Sequence, residues 1–116
     1  MTPFGEKIRH LRTERSIAQK DMAASLGVSA AYLSALEHGR RGRPSFDLVQ
    51  RIIVYFNIIW DEAEELQQLA RISDPRIVID TAGLSPHRTE MANRLARSVR
   101  HLNDDQIDRI RTILDE

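Results

Sequence analysis

The sequence predicts an all-α protein: a five-helix N-terminal domain, a short extended or strand segment, and two C-terminal helices. Two observations favour this class: apolar residues recur at three- and four-residue spacings, and helix N-cap signals repeat along the chain. The chain has 116 residues, 41% of them hydrophobic, which suits one small domain with an appendage. We expect residues 1–73 to form the domain and residues 74–116 to form a dimerisation or partner-binding extension.

The first three helices are short and well punctuated. Thr2 is predicted to cap the first helix, with Pro3 in its first turn. The second helix runs from about residue 18 to residue 26 and ends at Gly27, and the third begins after Ser29 and stops at Gly39. The residues expected to face the core are Phe4, Ile8, Leu11, Met22, Ala23, Leu26, Leu33 and Leu36.

Two further helices complete the predicted N-terminal domain. Ser45 is expected to cap the fourth helix, and the fifth is expected over about Trp60 to Ile72. Their predicted inward faces consist of Leu48, Val49, Ile52, Ile53 and Phe56, and then of Ala63, Leu66, Leu69 and Ala70.

The C-terminal part begins with a β-branched stretch, residues 76–80. It is a strand candidate, but a lone strand needs a hydrogen-bonding partner and this chain offers no second strand. A symmetric copy in another subunit or a simple extended linker are the two alternatives. Two amphipathic helices are predicted after it, the first capped by Ser85 and the second by a capping box of Asn103 and Gln106. Their apolar residues are Met91, Leu95, Val99 and Leu102, and then Ile107, Ile110 and Leu114.

Several functional classes find no support in the residues. The chain has no cysteine, which excludes a disulfide scaffold and thiol chemistry, and its four histidines show no metal-ligand spacing. No catalytic motif, membrane-length apolar run or secretion signal is present, so we expect a cytoplasmic protein that is not an enzyme and that uses no cofactor or metal.

Charge is distributed unevenly along the chain. Residues 1–56 carry nine basic and five acidic side chains, whereas residues 57–116 carry eight basic and twelve acidic ones. The net charge of zero therefore hides a basic first half, which suits a polyanionic partner such as DNA.

Three runs of residues between Gln19 and Arg41 form one pattern: Gln19-Lys20-Asp21-Met22-Ala23, Gly27-Val28-Ser29 and Tyr32-Leu33-Ser34-Ala35-Leu36-Glu37-His38-Gly39-Arg40-Arg41. Together they resemble the Cro/repressor-type helix-turn-helix of the XRE family. The resemblance covers about residues 3–60 and implies a lambda-repressor-like domain that binds operator DNA, usually as a dimer on a palindrome.

The resemblance also implies roles for individual residues. It places Gln19 at a phosphate, Arg40 at the DNA backbone and Arg43 near a narrow minor groove. It further implies a buried ion pair between Arg12 and Glu37. The full set of implied DNA-binding residues is Gln19, Lys20, Ser29, Ala30, Ala31, Tyr32, Ser34, Ala35, Arg40, Arg41 and Arg43.

The predicted recognition helix departs from the strongest base readers in its leading residues. Ala30 and Ala31 cannot donate a hydrogen bond to a base edge, although they can contact a thymine methyl group. Specificity then depends on Tyr32, Ser34 and the arginine loop, with packing of Tyr32 on the domain surface as the alternative to a groove contact.

The function predicted from these observations is a transcriptional regulator, a repressor that binds a palindromic operator as a homodimer. The alternative is an antitoxin whose C-terminal half binds a protein toxin. Both use the C-terminal helices, whose apolar faces require either a second copy, another protein, or packing against the N-terminal domain.

Overall fold

Seven α-helices and no β-strand make up the chain, which a computed structural model describes over residues 1–116. The helices are α1 (Pro3–Glu14), α2 (Gln19–Leu26), α3 (Ala30–Glu37), α4 (Phe46–Tyr55), α5 (Trp60–Arg71), α6 (Pro86–Ser98) and α7 (Asp104–Leu114). The predicted all-α class is thereby confirmed. No helix combines the length and the apolar character that crossing a membrane requires.

Side-chain caps begin five of the seven helices, each at a position that the sequence predicts. A cap matters because the first N–H groups of a helix have no partner within it, and losing one costs about 1 kcal/mol. The capping residues are Thr2, Ser29, Ser45, Ser85 and Asn103. The capping box of Asn103 and Gln106 is present in both directions, with the two hydrogen bonds at 2.8 and 3.0 Å.

The first compact unit, Met1–Ile77, contains α1 to α5 around one hydrophobic core. Every inward residue predicted for α1 to α4 is buried. On α5, Leu66 and Ala70 are buried, while Ala63 and Leu69 pack against the core and remain partly accessible. Each large apolar side chain removed from water in this way stabilises the fold by about 1.5–3 kcal/mol.

Two close contacts fix α1 in this unit. A Cβ added to Gly5 would lie 2.5 Å from the carbonyl oxygen of Leu36, so only glycine allows the backbones of α1 and α3 to approach this closely. Ser73, just after α5, accepts a hydrogen bond from the Phe4 backbone N–H at 2.9 Å. These residues are far apart in the sequence, and no local pattern predicted the bond.

Residues 76–80 form no strand in the single chain, as the lack of a second strand in the sequence predicts. Their β-branched composition favours extended backbone, but no neighbouring segment supplies the hydrogen-bond ladder that defines a strand. Pairing with a second copy of the chain stays a prediction.

The second compact unit, Val78–Glu116, contains α6 and α7. Its only buried side chain is Ala92. The apolar residues predicted for these helices are half-buried or exposed, and Met91, Val99 and Leu114 are each more than half exposed. This unit therefore has apolar helix faces but almost no core of its own.

Candidate nucleic-acid interface

The turn between α2 and α3 holds these two short helices in a fixed arrangement. Gly27 has a φ of 75°, a left-handed conformation that side-chain-bearing residues rarely adopt. The N–H of Val28 then donates to the carbonyl of Ala23 at 3.0 Å and closes the turn. Met22 on α2 and Leu33 on α3 are completely buried, so core packing sets how the two helices cross.

A residue of α4 also supports this turn. Arg51 Nη1 donates to the carbonyl of Leu26, at the end of α2, and Arg51 Nε pairs with Asp47 at 3.2 Å. The guanidinium thus satisfies a carbonyl left free by the helix end. Sequence reasoning missed this role, although the four-residue spacing of Asp47 and Arg51 was a signal for their ion pair.

The N-terminal turn of α3 is open to solvent. Ser29, Ala30 and Ala31 are exposed, and Ser29 Oγ accepts a hydrogen bond from the Tyr32 N–H at 3.0 Å. The other predicted groove-facing residues, Tyr32, Ser34 and Ala35, are half-buried. The exposed surface of the helix is therefore concentrated at its start, where short side chains leave the helix backbone accessible.

A buried carboxylate ties α3 to α1 and α2. Glu37 is completely buried and accepts hydrogen bonds from Arg12 Nε at 2.8 Å and Arg12 Nη2 at 2.9 Å. The bond from Arg12 to Glu37 and the attraction between their charges raise the pKa of the guanidinium, while burial opposes the rise. The ion pair implied by the family resemblance is confirmed.

Gln19 takes part in the same network. Its amide Nε2 donates to Glu37 Oε1 at 3.0 Å, and Arg12 Nη1 donates to the carbonyl of Ile17 at 2.8 Å. An amide nitrogen carries two N–H groups, so the bond to Glu37 leaves one donor for another partner. The structure therefore places Gln19 in the domain's internal network at the start of α2, next to the exposed Lys20.

The loop after α3 carries three exposed arginines, Arg40, Arg41 and Arg43. None forms an ion pair with a carboxylate of the chain, unlike Arg12 and Arg51. Their charge is therefore uncompensated by direct contacts and is available to an anionic partner.

The three arginines have different surroundings. The backbone N–H of Arg40 donates to the Ala35 carbonyl at 2.9 Å, which fixes the start of the loop at the end of α3. The Arg41 guanidinium lies over the ring of Tyr32, 5.2 Å from its centroid. Arg43 lines a separate cleft together with Gln67 and Arg71.

Comparison with known proteins identifies one family over the part of the chain that contains α2 and α3. Residues 3–66 match the family described as "Helix-turn-helix domain", a span that contains α1 to α4 and the first half of α5. No solved structure matches the chain.

Three curated relatives illustrate the likeness. The HTH-type transcriptional repressor RghR of Bacillus subtilis is 40% identical over 52 residues, which are 45% of this chain and 38% of that protein. The uncharacterized HTH-type transcriptional regulator RghRB of the same organism is 30% identical over 61 residues, 53% of this chain and 44% of the relative. The ImmF control region 10 kDa protein of Bacillus phage phi105 is 38% identical over 55 residues, 47% of this chain and 60% of the relative. The matches thus span about half the length of these relatives.

Proposed function

The chain belongs to the helix-turn-helix domain family, and from this premise we propose that it is a sequence-specific DNA-binding transcriptional regulator. More specifically, it acts as a repressor that binds a palindromic operator as a homodimer. The observation that carries the proposal is the exposed first turn of α3 followed by arginines without carboxylate partners. A helix of this size fits the DNA major groove, and arginines neutralise the phosphates beside it.

The proposed contacts divide between the two parts of this surface. Ser29, Ala30, Ala31, Tyr32, Ser34 and Ala35 contact the major groove. Gln19, Lys20 and Arg40 contact backbone phosphates, while Arg41 and Arg43 reach base edges or a narrow minor groove. The repressor role is supported by the likeness to RghR, whose name describes a transcriptional repressor.

The homodimer is supported by the second compact unit. A unit of this size with one buried side chain, and without disulfides, cannot build enough core to be stable alone. A second copy covers the same apolar faces by symmetry and brings two recognition helices to one DNA molecule.

The test is selection of bound sites from random double-stranded DNA by the full chain, with sedimentation of the free protein. Arg40→Ala should weaken binding to every sequence, because a phosphate contact carries no base information. Tyr32→Ala should change the preferred sequence. Equal loss for both variants on all sequences would contradict this division of roles, and the absence of any selected sequence would refute specific DNA binding.

The exposed faces of α6 and α7 also favour a second candidate, an antitoxin whose C-terminal half binds a protein toxin. The same sedimentation experiment separates the two functions. A stable dimer of the chain alone supports the homodimeric regulator. A monomer whose gene lies beside one for a small basic protein, and which forms a complex with that protein, supports the antitoxin.

A further inference from the structure

One of the three loop arginines is joined to the recognition helix through its side chain. The Arg41 guanidinium lies 5.2 Å from the centroid of the Tyr32 ring, within the range of a cation–π contact. Arg40 is held to α3 through its backbone alone, and Arg43 lies in the cleft with Gln67.

Tyr32 is a firm support for this contact. Its ring is half-buried and packs against the hydrophobic core, and its backbone N–H is capped by Ser29 Oγ. Packing restricts the rotamers of the ring, so an arginine resting on it is also restricted. A side chain ordered before binding loses less conformational entropy when it binds.

We propose that Arg41 recognises a guanine in the major groove and that Tyr32 is the positioning residue that holds its guanidinium for this contact. The inference rests on the proposed DNA-binding function and deepens it, because it selects one arginine of the loop as the base reader. A cation–π contact with the ring uses none of the guanidinium N–H groups as hydrogen-bond donors to the protein, so they remain available to a base. Two of these can donate to O6 and N7 of guanine, the commonest specific contact to a base.

The sequence of α3 explains why a residue outside the helix takes this role. Ala30 and Ala31, at the exposed start of the helix, have no side-chain donors, so the usual position for base readout is empty of hydrogen-bonding groups. Arg41 also has no carboxylate partner in the chain that would compete for its donors. Arg41 thus supplies the bidentate donors that the two leading alanines of the helix lack.

The test uses three charge-conserving variants of the full chain: Arg41→Lys, Arg40→Lys and Arg43→Lys. Each is measured against the site that the unchanged protein selects from random DNA and against single-base-pair variants of that site. Lysine keeps the charge but cannot make the planar bidentate contact. Arg41→Lys should lose about tenfold of the discrimination at one G·C pair in each half-site, with little change in salt dependence. Arg40→Lys and Arg43→Lys should keep the discrimination at that G·C pair, even where they lower the overall affinity for DNA.

Two variants of Tyr32 test its positioning role. Tyr32→Phe keeps the aromatic platform and should retain the preference for the same G·C pair, whereas Tyr32→Leu should lose it as Arg41→Lys does. If Tyr32→Leu does not fold, Tyr32→Met takes its place, because a flexible apolar side chain fills the half-buried site without an aromatic ring.

The outcomes separate this inference from the function on which it rests. If the unchanged protein selects a site but Arg41→Lys weakens all sequences equally, Arg41 contacts phosphate and the inference is overturned while DNA binding stands. If Arg40→Lys or Arg43→Lys alters the preference and Arg41→Lys does not, another arginine is the reader. If the unchanged protein selects no sequence, the proposed function and this inference fail together.

Discussion

The two compact units differ in how their apolar residues are covered. In Met1–Ile77, all five helices contribute buried apolar side chains to one core. In Val78–Glu116, two capped amphipathic helices of ordinary length bury only Ala92. Good local helix signals are therefore present in both units, but tertiary burial is present in only one.

This difference shows that helix formation and unit stability have separate sources. Caps and spacing determine where a helix begins and which face is apolar, whereas most helix stability in proteins comes from packing that face against something else. The first unit contains its own packing partners. The second buries almost none of its apolar side chains, and we expect its helices to gain stability from association.

The largest loss in the free energy of unfolding of the first unit should follow removal of Arg12, the charge partner of the buried Glu37. Arg12→Ala leaves the carboxylate of Glu37 buried without its guanidinium, and losing one member of a buried pair costs about 3–5 kcal/mol. We expect that loss in the free energy of unfolding, measured by urea denaturation followed by circular dichroism. Because the network joins α1, α2 and α3, the loss should also reduce the fraction of protein able to bind DNA.

The matched control lies on the same helix. Glu14→Ala removes an exposed carboxylate that lies 3.5 Å from His10 Nε2 and 4.0 Å from Arg15 Nη1, and surface pairs of this kind contribute only about 0–1 kcal/mol. The double variant Arg12→Leu, Glu37→Leu should regain part of the stability, since no buried charge then remains unpaired. A loss below about 1 kcal/mol for Arg12→Ala would show that water reaches Glu37 and that the buried network is not what holds the three helices.

The next largest effect should come from placing charges on the apolar face of α6. Met91→Glu together with Val99→Glu places charges on exposed apolar positions, which should abolish the dimer without unfolding the first unit. Losing the second recognition helix should weaken binding to a palindromic site by about a hundredfold, because linked sites gain that much or more in effective concentration. Sedimentation and binding titrations on whole and half sites measure both effects.

A control with the same charge change is available on the same helix. Asn93→Glu together with Arg97→Gln also makes the net charge more negative by two at exposed positions, and helical spacing places both residues on the side of α6 opposite Met91 and Leu95. This variant should remain dimeric and lose little affinity. If both double variants dissociate equally, or if neither does, then the apolar face of α6 does not form the dimer interface.

Much of the first unit could be predicted from the sequence because its information is local. Spacings of three and four residues identified the buried faces, and serine or threonine before an apolar run identified the caps. The ion pair of Arg12 and Glu37 came from the family resemblance, since no local pattern links α1 to the end of α3. The DNA contacts proposed for α3 stay predictions. The first turn of the helix is exposed, as the motif predicts.

The sequence failed where long-range partners decide the structure. Residues 76–80 have strand-like composition but no partner in the chain, so composition alone cannot decide between a strand paired with a second copy and an extended linker. The bond from Phe4 to Ser73 and the cation–π contact of Arg41 with Tyr32 depend on how segments meet in space. Trp60 illustrates the same limit, because it begins α5 with a positive φ and is 84% exposed, which hydrophobic spacing does not anticipate.

The smallest expected effect tests how tightly the first unit is packed. Gly5→Ala would place a Cβ 2.5 Å from the Leu36 carbonyl oxygen and 2.7 Å from that of Glu37, both of which are backbone atoms that cannot rotate away. Relieving this overlap requires α1 to move away from α3, and overpacking of this kind costs about 1–3 kcal/mol.

The control is Gly42→Ala in the arginine loop, where an added Cβ meets no atom within 4 Å. Thermal unfolding should show a lower melting temperature for Gly5→Ala and an unchanged or slightly higher one for Gly42→Ala, because alanine restricts the unfolded chain. An unchanged melting temperature for Gly5→Ala would mean that α1 can move away from α3 at no cost, so that the close approach of their backbones does not constrain the packing of the first unit.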